Sequence, residues 1–175
     1  MPAFTINMSS PFPSGFTGSL GGPNVGGHSP SAEWYIRFGM DFAASVGTEV
    51  CAAFDGHVTR YSPHKASTDT SKVYGDQIFI RSENDMMGGF YTHINFVPAA
   101  IKIDASVSWG DLLGKVFVAS GGAAHLHWAL VEIIGGAPAG RYAGVDLHGD
   151  FVGVSNTTSA LSVTFNQDGT PPDVA

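Results

Sequence analysis

Apolar residues along this chain occur in short runs separated by turns, and they do not follow the period of a helix. No window holds a long pattern of apolar residues at i, i+3, i+4 and i+7. We therefore predict a mostly β, single-domain antiparallel β-sheet with a groove and little helix. The runs of strand length are Glu49–Phe54, His57–Tyr61, Gln77–Arg81, Gly89–His93, Leu112–Val118, His125–Ile134 and Leu161–Phe165.

Glycine, proline and serine divide the chain into three parts. Residues 1–33 are rich in all three and are expected to form an arm or a loop wrapped on the domain. Residues 34–134 carry most of the predicted strands. Residues 135–175 begin with a linker-like Gly-Gly-Ala-Pro break and are expected to pack as a C-terminal extension on the same domain. The Asp55-Gly56 pair predicts a tight hairpin between the two runs that flank it.

Composition and charge exclude several classes of function. The 175 residues contain 8 Lys and Arg against 15 Asp and Glu, a net charge of −7. With no basic stripe, we expect neither a nucleic-acid partner nor binding to an anionic membrane surface. The single Cys51, in an apolar run, excludes an intramolecular disulfide and is expected to be a buried small hydrophobe. No signal peptide or transmembrane segment is visible in the sequence.

The candidate chemistry lies in three separate segments. In a strand, residues i and i+2 share a face, so His125 and His127 are expected to point together into one groove. Two imidazoles on one face can hold a divalent metal, or can supply one ligand and one acid or base. Asp41 lies among hydrophobic residues and needs a cation, a metal or hydrogen-bond donors. His93 ends a short strand. Taken alone, each segment favours a structural role over a functional one.

In their order and spacing, these segments resemble the lysostaphin-type (LytM-like) zinc endopeptidases. The family pattern is His-x-x-x-Asp, Gly-Thr-x-Val with a Gly-x-Val strand, Tyr-x-His, Gly-x-x-Leu/Ile-Gly and finally His-x-His. The matching stretches cover roughly residues 34–134, which the resemblance assigns to a peptidase-like β domain with the family's duplicated hybrid motif. They are Phe38–Val58, Tyr74–Ile80, Phe90–Ile94, Val107–Val116 and Gly121–Val131.

The resemblance implies roles for individual residues. Asp41 and His127 match two zinc ligands, while His93 and His125 match the non-ligand histidines that polarise water and steady the tetrahedral intermediate. The third ligand should stand four residues before Asp41, where this chain has Arg37. Arginine has no acceptor atom and cannot ligate a metal, so we expect Arg37 to form an ion pair with Asp41.

A substitute third ligand remains the alternative to this ion pair. The nearest candidates are Glu33 and His28, on the arm. The other histidines, His57, His64 and His148, are expected to lie on the surface near turns.

The resemblance, together with the missing zinc ligand at residue 37, allows three functions. The first, which we favour at this stage, is a degenerate peptidase-fold protein without metal-dependent turnover. Its groove (Arg37, Asp41, His93, His125 and His127) would bind a peptide, a peptidoglycan fragment, a glycan or a partner protein, and no cofactor is expected. The second is an active zinc endopeptidase that cuts glycine-rich cell-wall peptides, with zinc as cofactor. The third is a carbohydrate-binding lectin that uses Trp34, Tyr35 or Trp109.

The resemblance also implies an extracellular or cell-envelope location. The sequence predicts neither an oligomeric state nor the identity of the ligand.

Overall fold

The computed structural model describes residues 2–65, 67–70, 74–118, 122–154 and 160–175. Within these residues the chain is mostly β, as the hydrophobic pattern predicts, and its two helices are short. In chain order the elements are β1 (Phe4–Met8), β2 (Gly18–Gly21), α1 (Trp34–Arg37), β3 (Gly39–Ala43), β4 (Glu49–Cys51), β5 (Gly56–Ser62), β6 (Asp76–Ser82), β7 (Met87–Asn95), β8 (Ser106–Val107), β9 (Leu112–Val116), β10 (His125–Ile134), β11 (Arg141–Val145), α2 (His148–Gly153), β12 (Leu161–Phe165) and β13 (Asp173–Val174).

Most of the strands form one large antiparallel sheet in the order β2-β3-β10-β7-β6-β5-β8. The longest strand, β10, holds the sheet together because it has neighbours along both edges. One edge pairs with β7; the other pairs with β3 over its first half and with β11 over its second half. Strand β9 pairs with β7 and β4. Because β10 is central in the sheet, a groove across the middle of the sheet lies over this strand.

Both faces of β10 are covered, which is the physical reason for its continuous apolar run from Trp128 to Val131. Leu126, Trp128 and Leu130 are completely buried in the main core. There the ring of Phe151, from α2, meets Trp128 edge-on at 4.7 Å. On the opposite face, Val131 belongs to a smaller apolar cluster that is covered in part by aromatic side chains from α1 and β11. A strand covered on both faces needs apolar residues at nearly every position.

The N-terminal and C-terminal parts of the chain meet in a second, three-stranded sheet. Strand β1 pairs with β12, and β12 pairs with β13. The rings of Phe4 and Phe165 stack across the first pair at 5.2 Å. The segment expected to be an arm thus contributes β1 to this sheet and β2 to the edge of the large one.

The hairpin predicted at Asp55-Gly56 is wrong. Strand β4 pairs with β9, while β5 pairs with β6 and β8. The carboxylate of Asp55 accepts a hydrogen bond from the backbone N–H of Trp109 at 2.7 Å, so it ties two distant loops together. The partner of a strand depends on such long-range contacts, which a two-residue turn signal does not contain.

Candidate metal centre and cleft

The register of β3 and β10 brings two of the predicted site residues together. Asp41 and His127 are directly opposite partners, and His127 Nδ1 lies 2.9 Å from Asp41 Oδ1. The other ring nitrogen of His127, Nε2, lies 2.7 Å from the carbonyl oxygen of Tyr35 in α1. The backbone thus fixes both the position and the orientation of this imidazole.

A third side chain, His28, reaches the same carboxylate from the loop before α1. Its Nε2 atom lies 3.2 Å from Asp41 Oδ2, and its Nδ1 atom lies 2.8 Å from the carbonyl oxygen of Gly22. Only 6% of the residue is exposed, so it is part of the folded domain although 13 positions separate it from Asp41 in the sequence.

The hydrogen bonds of these two histidines fix which nitrogens are free. A carbonyl oxygen only accepts, so in the neutral rings His127 Nε2 and His28 Nδ1 carry the protons. The free lone pairs of His127 Nδ1 and His28 Nε2 then face the carboxylate of Asp41, and one ligand atom from each residue lies within 4.8 Å of the others. Lone pairs that converge on a carboxylate need a proton or a metal cation between them. Two imidazoles and one carboxylate are a donor set that suits zinc.

Electrostatics keep Asp41 in the form that a cation requires. Burial raises the pKa of its carboxyl group. When the neighbouring imidazoles are protonated, the hydrogen bond from His127 and the positive charges of His127, His28 and His125 outweigh burial and lower the pKa below its usual value. Asp41 is therefore a carboxylate at neutral pH.

His93 and His125 stand next to this cluster. Their rings are 4.5 Å apart, and His125 Nε2 lies 3.7 Å from Asp41 Oδ2. His93 has a positive φ of 64°, an unusual conformation for a residue with a side chain, and its N–H donates to the carbonyl of Tyr74 at 2.7 Å. Burial, followed by the nearby charges of His125 and His127, lowers the pKa of His93 to about 4. His93 is therefore neutral at pH 7.

Comparison with known proteins assigns the family. The sequence profile of Peptidase family M23 matches residues 35–139, which is 105 of the 175 residues. This chain belongs to Peptidase family M23. No curated protein matches it significantly in sequence.

Solved structures share the fold of this M23 protein. A zinc-containing peptidase from Vibrio cholerae aligns with a TM-score of 0.55 and 18% identity, over 82% of this chain and 40% of that one. A mutant catalytic domain of the prophage-encoded M23 protein EnpA from Enterococcus faecalis aligns with a TM-score of 0.53 and 21% identity, over 78% and 93%. The antimicrobial peptidase lysostaphin from Staphylococcus simulans aligns with a TM-score of 0.57 and 16% identity, over 87% and 55%. The chain thus spans less than half of the Vibrio protein.

The expected ion pair between Arg37 and Asp41 is not found. Arg37 Nε donates instead to Asn24 Oδ1 at 2.7 Å, and the guanidinium lies over the ring of Phe38. Among the described residues, the ion pairs of Asp41 are all with histidines. Arg37 ends α1, so its side chain extends back along the loop, and His28 lies beside Asp41 instead.

The sequence contained one signal that pointed to His28. It is the only histidine that precedes Asp41, so any histidine ligand from the N-terminal side had to be this one. The family spacing obscured it, because α1 and its flanking loops lie between the two residues. The second spare candidate, Glu33, is exposed at the start of α1 and makes no contact with the cluster.

A cleft of about 730 Å³ opens beside the cluster and crosses the face of the large sheet. Trp34 and Tyr35, two of the exposed aromatic residues expected from the sequence, form part of its wall; Trp109 lies outside it. An unbroken series of ring contacts leads along this wall from His127 through Phe90, Tyr35 and Trp34 to Tyr142. His57 and His148 also lie outside the cleft, where they contact Asp85 and Ser19.

Proposed function

We propose that this M23 protein is a zinc-dependent peptidase. The observation that supports the proposal is the convergence of His28, Asp41 and His127, whose free donor atoms face one another within 4.8 Å. The degenerate-groove hypothesis depended on a missing third ligand, and His28 offers a candidate for that place. The M23 family is typically zinc-dependent, in agreement with this donor set.

Each residue of the cluster has a task in this proposal. His28 Nε2, Asp41 and His127 Nδ1 would hold the metal, while the carbonyls of Gly22 and Tyr35 keep both rings in the correct orientation. A bound zinc ion supplies Lewis acidity and lowers the pKa of water. Two neutral imidazoles and one carboxylate leave one positive charge on such an ion, which preserves that acidity.

His93 and His125 would handle protons beside the metal. His93 is neutral at pH 7, with a pKa of about 4, so its ring nitrogens can accept or donate a proton at the reacting atoms. His125 Nδ1 is oriented by the carbonyl of Ala123 at 2.7 Å, which leaves Nε2 directed toward Asp41. The rings of His93 and His125 are 4.5 Å apart, so both imidazoles lie on the same side of the cluster.

The substrate class in this proposal is a peptide that lies extended in the cleft. Glycine-rich cell-wall peptides are the first probe, because the lysostaphin-type resemblance implies them. To meet a substrate of this kind, the protein would act outside the cell or in the cell envelope. Within the described residues, no helix is long and apolar enough to cross a membrane.

The test compares zinc content and peptide hydrolysis in three proteins. Wild type, His28→Ala and the control His64→Ala are loaded with zinc, and cleavage of pentaglycine is followed by chromatography. His64 packs on Phe117; it neither lines the cleft nor belongs to the ligand cluster. We expect wild type and His64→Ala to bind one zinc and to lose activity in chelator. His28→Ala should lose about a hundredfold or more in activity and in zinc affinity.

Two results would contradict the proposal. If the wild-type protein binds no zinc, the result would favour the degenerate-groove hypothesis instead. Zinc binding without cleavage of any peptide, together with binding on a glycan array, would favour the lectin alternative.

A further inference from the structure

The end of the cleft remote from the metal cluster carries positive charge. On β6, alternate residues Gln77, Phe79 and Arg81 face the cleft, while Ile78 and Ile80 are buried in the core behind them. On the neighbouring strand β5, Arg60 also lines the cleft. These are two of only 8 basic residues in a chain of net charge −7.

Both arginines have side-chain donors without a hydrogen-bond partner among the described residues. Among the described residues, Arg60 is exposed and makes no ion pair or hydrogen bond. Arg81 makes a single hydrogen bond, from its Nη2 to the hydroxyl of Tyr142 at 3.2 Å, and its Nε is buried without a partner. Asp85 forms an ion pair with Arg81 Nη1 at 3.7 Å, without a hydrogen bond, and lies closer to His57, at 3.2 Å. Most donors of these two guanidinium groups are therefore free.

Among the described residues that line the cleft, no carboxylate lies beside these arginines. Its one acidic lining residue is Asp41, which is engaged by the three histidines at the opposite end. The aromatic side chains of Trp34, Phe79 and Tyr142 border the positive end. Apolar walls lower the local dielectric constant, so a carboxylate bound there interacts more strongly with arginine than it does in open water.

The sheet register gives the separation of the two ends. Across the sheet, Arg81 lies two strands from His127, and it is displaced by four residues along the strand direction. Arg60 lies three strands from His127 and is displaced by two residues in the same direction. With about 4.8 Å between strands and about 3.3 Å per residue, each arginine lies about 16 Å from His127 along the sheet. An extended peptide covers this distance in about four to five residues. By the same geometry the two arginines are about 8 Å apart, so one carboxylate can lie between them.

We propose that this end of the cleft binds a carboxylate of the substrate. The preferred substrates are then peptides with an acidic side chain, or a C-terminal carboxylate, about four to five residues from the bond that is cut. The inference rests on the proposed peptidase function for its cleavage step, but the binding preference belongs to the arginines alone.

The experiment uses glycine-rich peptides that differ by one functional group. Glu is compared with Gln at three to six residues from the centre on either side, and a C-terminal acid is compared with the amide. Hydrolysis by the zinc-loaded full chain gives kcat/KM, with the cut located by mass spectrometry. Fluorescence anisotropy of labelled peptides with the chelator-treated protein gives Kd without turnover.

The variants isolate the two arginines. We expect wild type to prefer the acidic peptide by about tenfold in Kd and in kcat/KM, the size of one charge-assisted contact. Arg81→Gln and Arg60→Gln should each reduce the preference, and the double variant should abolish it, while Arg81→Lys retains part of it. Arg141→Gln is the control, because it removes an equal charge outside the cleft and should leave the preference unchanged. Among the described residues the side chain of Arg60 is exposed and forms no ion pair or hydrogen bond, so we expect its substitution to leave the fold intact.

Failure of this inference is distinguishable from failure of the peptidase function. Acid-selective binding without cleavage would contradict the peptidase function and support the carboxylate site. Equal values for Glu and Gln at every position would overturn the carboxylate site, as would a preference that survives the double variant, tighter binding of neutral glycans, or no binding of any peptide.

Discussion

Replacing Arg37 by histidine distinguishes two explanations of the metal site: Arg37 at the position of a missing ligand, or His28 as the third ligand. The two explanations predict opposite changes in zinc affinity. If Arg37 occupied the position of a missing ligand, Arg37→His would restore a nitrogen donor, remove a repelling cation and raise zinc affinity by orders of magnitude. In the structure His28 lies beside Asp41. Arg37 instead bonds to Asn24 and so stabilises the loop that contains His28. Arg37 Nε donates to Asn24 Oδ1 at 2.7 Å, and the N–H of Asn24 donates to the carbonyl of Arg37 at 2.9 Å.

The expected change in zinc affinity follows from the one hydrogen bond that is lost, between Arg37 Nε and Asn24 Oδ1. The backbone bond of this pair survives the substitution, and a side-chain hydrogen bond at a half-exposed position contributes about 1 kcal/mol. If all of that stabilisation holds His28 in place, zinc affinity falls about fivefold. Because histidine is shorter than arginine and the side chain at this position points away from Asp41, no new ligand is gained.

The assay is a competition titration of zinc against a fluorescent chelator, with wild type, Arg37→His, Arg37→Lys and His28→Ala in parallel. We expect Arg37→His to bind zinc slightly more weakly than wild type, Arg37→Lys to lie between them, and His28→Ala to lose most of the affinity. A gain of tenfold or more in zinc affinity for Arg37→His would refute the assignment of His28.

Three other measurements probe particular contacts. A Cβ at Gly39 would collide with the ring of His127, so Gly39→Ala should displace that imidazole and weaken zinc binding by about tenfold or more in the same titration. Burial, followed by the charges of Glu49 and Asp111, raises the pKa of Cys51 to about 11. Native protein should therefore resist iodoacetamide at pH 8, with alkylation accelerating about tenfold per pH unit up to that pKa; rapid reaction at pH 8 would show that the thiol is accessible and ionised. Phe151→Ala leaves a cavity against Trp128 and should lower the free energy of unfolding by about 3 to 5 kcal/mol in urea denaturation, whereas a loss below about 1 kcal/mol would mean that α2 contributes little to the core.

The features of the fold that depend on local periodicity could be predicted from the sequence. The alternation of residues from His125 to Trp128 predicts that Leu126 and Trp128 lie in the core and the two histidines on the opposite face. In the structure Leu126 and Trp128 are buried, and both histidines lie beside Asp41. The bounds of β12 also agree with the apolar run Leu161–Phe165. Both follow from the two-residue period of a strand, because the order of the residues determines which side chains share a face.

The features that depend on where a loop returns could not be predicted. His28 lies 13 residues before Asp41, and a spacing in sequence gives no distance in space when a helical turn lies between. Its position depends on the positive φ of Asn24, on the hydrogen bond to Gly22 and on the bonds between Asn24 and Arg37. The family pattern places a ligand at residue 37, whereas in this chain the loop brings His28 to Asp41 and Arg37 to Asn24. The pairing of β4 with β9 has the same kind of non-local origin.

The most direct test of the metal site is a crystal structure of the zinc-loaded protein with anomalous data collected at the zinc absorption edge. We expect one strong anomalous peak in contact with His28, Asp41 and His127, with Arg37 still bonded to Asn24. A peak held by Asp41 and His127 while His28 points elsewhere would contradict the assignment of His28. The absence of any peak at Asp41 in zinc-saturated crystals would contradict the metal centre itself.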